Sequence, residues 1–114
     1  MFVAMAHFPT VSLAQERDFI EWFSWSNEQL REIEGLEGRR LLRATDGTYS
    51  ALVEHQSAET FAAMHTSSAA VKVHAHLAEI LDEGPRATTY EVVTTLSPVQ
   101  GCCGGGHGGC GSQA

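Results

Sequence analysis

The stretch RRLLRATDGTYSALVEH (residues 39–55) decides the predicted fold, because it contains two apolar segments joined by a turn signal. The dipeptide Asp46-Gly47 lies between the segments, and glycine accepts the positive φ angle that tight hairpin turns require. Residues 39–44 and 48–55 are therefore predicted to form an antiparallel hairpin. The other elements are placed around it.

A strand and a long helix are predicted before the hairpin. Residues 2–8 are apolar apart from His7 and end at Pro9, as expected of a strand covered on both faces. Ser12 is a plausible N-cap for a helix that we expect to end at Gly35. Six side chains of this helix fall within an arc roughly 100° wide, which predicts packing on a sheet. They are Phe19, Trp22, Phe23, Ser26, Leu30 and Ile33.

Two further helices and a strand are predicted after the hairpin. Ser57 caps a short helix, and a second helical stretch covers residues 68–83 before Gly84-Pro85 stops it. Residues 88–96 are rich in β-branched side chains and predict a strand. The resulting order β-α-β-β-α-α-β predicts an α+β fold of the ferredoxin-like, split βαβ type with an antiparallel sheet.

The first strand predicts a homodimer. One of its faces carries Phe2, Ala4, Ala6 and Phe8, and the other carries Val3 and Met5. Helices cover only one face of such a sheet, so burying the second face in so short a chain requires a second copy.

Composition separates a domain from a tail and excludes some partners. Seven Lys+Arg face fourteen Asp+Glu, a net charge of −7, which argues against nucleic acid or an anionic membrane as a partner. All cysteines lie beyond residue 96, so no disulfide is predicted in the domain and a cytoplasmic location is expected. We assign residues 1–96 to the domain and residues 97–114 to a Gly/Cys/His-rich tail.

Two motifs carry a resemblance to a known family. The segment EGLEG (34–38) leads into RRLLR (39–43), and YSALVEHQS (49–57) is followed by AETF (58–61). These segments resemble the antibiotic biosynthesis monooxygenase (ABM) superfamily. The resemblance implies a dimeric α+β barrel with a pocket between the sheet and the helices of each subunit. Activities known in the superfamily include cofactor-free oxidation of aromatic polyketides by O2, haem degradation and quinol oxidation, and many members have no assigned reaction.

The haem-degrading branch is disfavoured. Its members are similar in placing asparagine on the first strand, tryptophan on the second helix and histidine on the third. The corresponding positions here are His7, Met64 and a residue near His74 or His76.

Candidate catalytic residues are His7, Asn27 and His65. His7 interrupts an apolar strand near the expected mouth of the pocket, where a neutral imidazole could remove a phenolic proton. The alternative is a core or interface histidine bonded to a backbone carbonyl. Ser26 either leaves room for a ligand or bonds back to the preceding turn. The predicted pocket-lining residues are Trp22, Phe23, Ser26, Tyr49 and Met64.

No nucleotide fingerprint follows a strand, so the domain is predicted to work without a cofactor. The function predicted is a cofactor-independent monooxygenase for a small planar aromatic or quinol-type substrate. A catalytically silent stress-response barrel remains an alternative.

The tail gives a hypothesis of a different class. Cys102, Cys103, His107 and Cys110 form a Cys₃His set suited to a thiophilic ion such as zinc, copper or nickel. A metal-binding or metal-sensing dimer is therefore an alternative function. Two further alternatives for the tail are redox chemistry of its adjacent thiols and a flexible extension that has no function.

Overall fold

The computed structural model describes residues 1–96, in which four strands and three helices follow one another in the predicted order. The strands are β1 (Phe2–His7), β2 (Leu36–Arg43), β3 (Tyr49–His55) and β4 (Arg86–Glu91). The helices are α1 (Leu13–Leu30), α2 (Ala58–His65) and α3 (Ser68–Ala78). No helix in this range is both long enough and apolar enough to cross a membrane.

The strands form one antiparallel sheet in the order β2-β3-β1-β4. β1 lies between β3 and β4, so Ala6 pairs with Ala51 on one side and with Ala87 on the other. The predicted hairpin is β2–β3, and the α+β ferredoxin-like fold class is confirmed.

Three elements end earlier than the sequence predicts. α1 ends at Leu30 because the next residues form tight turns, in which the Ile33 amide donates to the Leu30 carbonyl. α3 ends at Ala78, and the nearby Ile80 carbonyl accepts from the Gln15 side chain. β4 ends at Glu91 because that residue pairs with Phe2, the first residue of the neighbouring strand.

The aromatic stripe of α1 forms the core, as predicted. Phe19, Trp22, Phe23, Ser26 and Leu30 are all buried, whereas Ile33 lies beyond the end of the helix. A capping box between Ser12 and Gln15 satisfies amides at the N-terminus of α1. These contacts fix α1 against one face of the sheet.

The opposite face of the sheet carries no helix within residues 1–96. Alternation along β1 directs Ala4 and Ala6 towards the helices, and Val3 and Met5 away from them. Two apolar side chains of the uncovered face are well exposed, Tyr90 at 50% and Leu42 at 40%.

Gly35 positions the start of β2 against α2. Its φ angle of +86° lies in the left-handed region, and a Cβ at this position would collide with the side chain of Thr60. Gly47 in the hairpin turn has a similar φ of +92° but open space around it. A comparison of the two positions therefore distinguishes the cost of a left-handed backbone from the cost of a collision with Thr60.

We expect Gly35→Ala to destabilise the fold more than Gly47→Ala. The left-handed backbone alone costs an alanine about 1–2 kcal/mol, and the collision with Thr60 adds to this at Gly35, for about 3 kcal/mol or more in total. Urea denaturation of both variants measures the difference. Equal losses of stability would show that the contact with Thr60 relaxes freely.

Candidate active site

A cavity of about 430 Å³ lies between the helix-facing side of the sheet and helices α2 and α3. Residues 81–85 also line it. Small side chains on three strands and on α3 leave this volume unfilled. They are Ala4, Ala6, Ala51, Ala70, Ala78 and Ala87. Large apolar side chains form much of the remaining wall, including Phe8, Trp22, Phe61 and Met64.

Two histidines line the cavity from different helices. The rings of His65 on α2 and His74 on α3 have centroids 6.3 Å apart. Nδ1 of His65 lies 3.0 Å from the Phe61 carbonyl, which can only accept. Nδ1 therefore carries the proton of that hydrogen bond, and a neutral His65 has an unprotonated Nε2. Partial burial lowers the pKa of His74 below its ordinary value, and the neighbouring His65 and Arg39 act in the same direction.

Arg39 contributes a largely enclosed positive charge to the same cavity. Its Nη1 donates to Ser26 Oγ and to Asn27 Oδ1, each at 2.7 Å. Its Cζ lies 4.5 Å from the centroid of the Phe23 ring. Burial lowers the pKa of Arg39 to about 10.

Arg39 also borders a second, open groove of about 480 Å³ between α1 and β2. Phe23, Asn27 and Tyr49 line this groove. The Tyr49 hydroxyl donates to Glu16 at 2.6 Å and accepts from Arg43 at 3.3 Å. The guanidinium of Arg39 therefore stands between two concave surfaces.

Comparison with known proteins gives structural matches only. No family model matches the chain, and no curated protein matches it. A candidate antibiotic biosynthesis monooxygenase from Nitrosomonas europaea is 16% identical with a TM-score of 0.70, over 82% of this chain and 100% of that one. A corresponding Bordetella bronchiseptica protein is 17% identical with a TM-score of 0.72, over 82% and 97% of the two chains. A mutant of SnoaB, a cofactor-independent oxygenase from Streptomyces nogalater, is 15% identical with a TM-score of 0.64, over 83% and 93%.

The chain has the ABM fold. The resemblance found in the sequence motifs is thus confirmed at the level of the fold. In this ABM-fold chain the cavity lies between the sheet and the helices, where the resemblance implied a pocket.

The structure brings some of the predicted site residues together and separates others. Trp22, Met64 and His65 line the 430 Å³ cavity. Phe23, Asn27 and Tyr49 line the open groove instead. Ser26 is fully buried, and its Oγ donates to the Phe23 carbonyl at 2.6 Å, so it bonds back to the preceding turn.

His7 lies on the face of the sheet opposite the cavity. The expectation that it borders the pocket of its own chain is not met, because strand alternation groups it with Val3 and Met5. Its Nδ1 lies 3.0 Å from Ser50 Oγ on the neighbouring strand. A role for His7 as a base stays a prediction.

Sequence reasoning missed Arg39 and gave His74 no specific role. Ser26 was the available signal for Arg39, because a small polar residue in an aromatic stripe implies a buried polar partner. The alanines on β1 and β3 were the signal for the cavity, since small side chains under a helix layer leave volume.

The predicted metal ligands Cys102, Cys103, His107 and Cys110 lie outside the described residues, so the tail site stays a prediction. Within residues 1–96, no group of three or more His, Cys, Asp or Glu is placed to hold a metal ion.

His55 is a second titratable group beside the cavity wall. It is fully buried, with Nδ1 3.0 Å from Thr60 Oγ1 and Nε2 3.3 Å from the sulfur of Met64. Burial lowers the pKa of His55, and the nearby His65 acts in the same direction. The folded chain therefore resists protonation at this position.

We expect the chain to lose stability as the pH falls below about 6.5, the usual pKa of an unfolded histidine. The unfolded chain then binds a proton that folded His55 does not, at a cost of at most about 1.4 kcal/mol per pH unit. His55→Gln should weaken this dependence in urea denaturation between pH 7.5 and 5.5. The exposed His7→Gln is the control, and equal slopes for both variants would exclude His55 as the cause.

Proposed function

We propose that this chain is a cofactor-independent monooxygenase that oxidises a small planar aromatic or quinol-type substrate with O2. The observation that carries the proposal is the 430 Å³ cavity, which is lined by aromatic and aliphatic side chains and by two imidazoles. Fold alone does not assign a reaction. The description of SnoaB as a cofactor-independent oxygenase is consistent with a barrel that needs no bound cofactor.

The reaction begins with a proton transfer. A histidine removes an acidic phenolic or activated C–H proton from the substrate, and the resulting electron-rich anion reacts with O2. For an anthrone-type methylene, one oxygen atom of O2 becomes the product carbonyl. The other oxygen leaves as water with the two methylene hydrogens.

His65 and His74 are the best-placed bases. Nε2 of a neutral His65 is free to accept a proton, because Nδ1 already donates to the Phe61 carbonyl. The lowered pKa of His74 keeps this imidazole unprotonated at neutral pH, so it is available to accept a proton. Asn27 is a positioning residue in this scheme, because it holds Arg39 at the wall rather than facing the cavity itself.

We further propose that the functional unit is a homodimer. Val3, Met5 and Leu52 share the sheet face that carries no helix, together with the exposed Leu42 and Tyr90. A second copy that packs its own uncovered face against this one would bury these side chains.

The test of activity is oxygen consumption with a panel of anthrone-type, quinol and haem substrates. We expect turnover of an anthrone or quinol substrate, and a fall of about 10²–10⁴-fold when the acting base is removed by His65→Ala or His74→Ala. His7→Ala is the matched control from the opposite face of the sheet. A loss confined to His7→Ala would move the base away from the cavity, and no consumption by any substrate would reject the enzyme.

A cavity-filling variant tests whether the substrate enters the proposed space. Ala6→Leu adds bulk at a position on β1 that lines the cavity, whereas the proposed bases lie on α2 and α3. We expect lower turnover with an unchanged or higher melting temperature, because the added side chain fills empty volume. Unchanged turnover would place the reaction elsewhere.

The test of assembly is light scattering of the Val3→Glu variant. A carboxylate at this position of the uncovered face would be buried directly opposite Glu54 and Tyr90, with no basic residue paired to it, so the dimer should dissociate to monomers. Val71→Glu is the control, since Val71 is 60% exposed on α3 and lies away from this face. A wild-type chain that scatters as a monomer would reject the dimer.

A further inference from the structure

Arg39 carries a charge that forms no ion pair with an acidic residue within residues 1–96. Its two hydrogen bonds go to neutral oxygens, those of Ser26 and Asn27. Its Nε is enclosed by protein and has no hydrogen-bond partner. Burying a guanidinium without an acid is costly, so a purely structural role accounts poorly for this residue.

The unused donors of Arg39 share one edge of the guanidinium. Nη1 is occupied by Ser26 and Asn27, which leaves Nε and Nη2 without acceptors in residues 1–96. Because Nε is enclosed, Nη2 is the donor left for a ligand, and a charge-assisted hydrogen bond from it favours a carboxylate oxygen. The hydrogen bonds at Nη1 and the Phe23 ring hold this edge in place.

The surroundings of Arg39 favour an anion with an aromatic body. His65 and His74 line the same cavity, and the acidic side chains that also line it, Asp82 and Glu83, form no ion pair with Arg39. The chain as a whole carries a net charge of −7, so this cluster of basic groups differs from the average of the chain. The rings of Phe8, Trp22 and Phe61 supply an apolar wall for a planar ligand.

We propose that Arg39 is the specificity-determining residue of the cavity, and that it selects planar aromatic molecules that carry a carboxylate. The proposal deepens the proposed function, on which it rests for the reaction but not for binding. The ring system occupies the apolar part of the cavity, and the carboxylate accepts a hydrogen bond from Nη2 of Arg39.

The experiment is calorimetric titration with 2-naphthoate and 2-naphthamide, two probes that share a ring system and differ in charge. We expect wild-type protein to bind the carboxylate about tenfold or more tightly than the amide, as a charge-assisted hydrogen bond provides. Arg39→Met should abolish that preference and leave binding of the amide nearly unchanged. Equal affinity of the wild type for both probes, or an unchanged preference in Arg39→Met, would overturn the proposal.

Three variants serve as controls. Arg40→Met removes the same charge from the next residue of β2, which is exposed and faces the other side of the sheet, and should leave the preference intact. Arg39→Lys keeps the charge without the fork, and we expect it to retain part of the preference even if Arg39→Met fails to fold. Ala6→Leu fills the cavity but not the groove beside α1, so unchanged naphthoate binding in Ala6→Leu would reject the cavity as the site.

The failure of this proposal is distinguishable from that of the proposed function, because the probes are not required to react. Naphthoate binding that depends on Arg39, in a chain that consumes no O2 with any substrate, would retain the carboxylate site and reject the oxygenase. Turnover of neutral substrates, with equal affinity for the two probes, would retain the oxygenase and reject the carboxylate site.

Discussion

The hydrogen bond from Trp22 Nε1 to the Val73 carbonyl, 2.9 Å long and buried, ties α1 to α3. The Trp22 ring also packs against Phe8 and Phe19, with centroids 6.1 and 5.9 Å away. This aromatic cluster keeps α3 away from the alanines of the sheet. If α3 packed directly on those alanines, the space between them would be filled and the cavity would close. The cavity therefore depends both on the large aromatic side chains and on the small alanine side chains of the sheet.

The enclosed charge of Arg39 lowers the stability of the same region of the fold. Its charge is held by two neutral oxygens and an aromatic ring, which stabilise it less than a carboxylate would. An apolar side chain of similar length would fill the position without that cost. A residue that is poor for stability and well fixed in position is typical of a binding site rather than of a core.

The elements that could be predicted from sequence are those fixed by local pattern. Asp46-Gly47 specifies the hairpin turn, and the arc from Phe19 to Leu30 specifies the buried face of α1. The side of the sheet on which Arg39 lies could not be predicted from a local pattern. Residues 39 and 40 are both arginines, and only the strand register decides which of them faces the helices. A register shift between Leu36 and Gly38 sets that register, and Arg39 then pairs with Val53 on the helix-facing side. The environment of His74 likewise depends on contacts between elements distant in sequence, with His65 on α2 and Arg39 on β2.

β1 contributes side chains to both faces of the sheet, so its register decides which residues line the cavity. Ala4 and Ala6 line the cavity, whereas Val3, Met5 and His7 face the uncovered side. A shift of one residue in the pairing of β1 would exchange these two sets of side chains. The larger side chains would then fill the cavity, and the uncovered face would lose its large apolar residues. The cavity and the proposed dimer surface are therefore specified together by one register. Since the sheet lies between His7 and the cavity, His7 shares the face of the proposed dimer surface, while His65, His74 and Arg39 line the cavity.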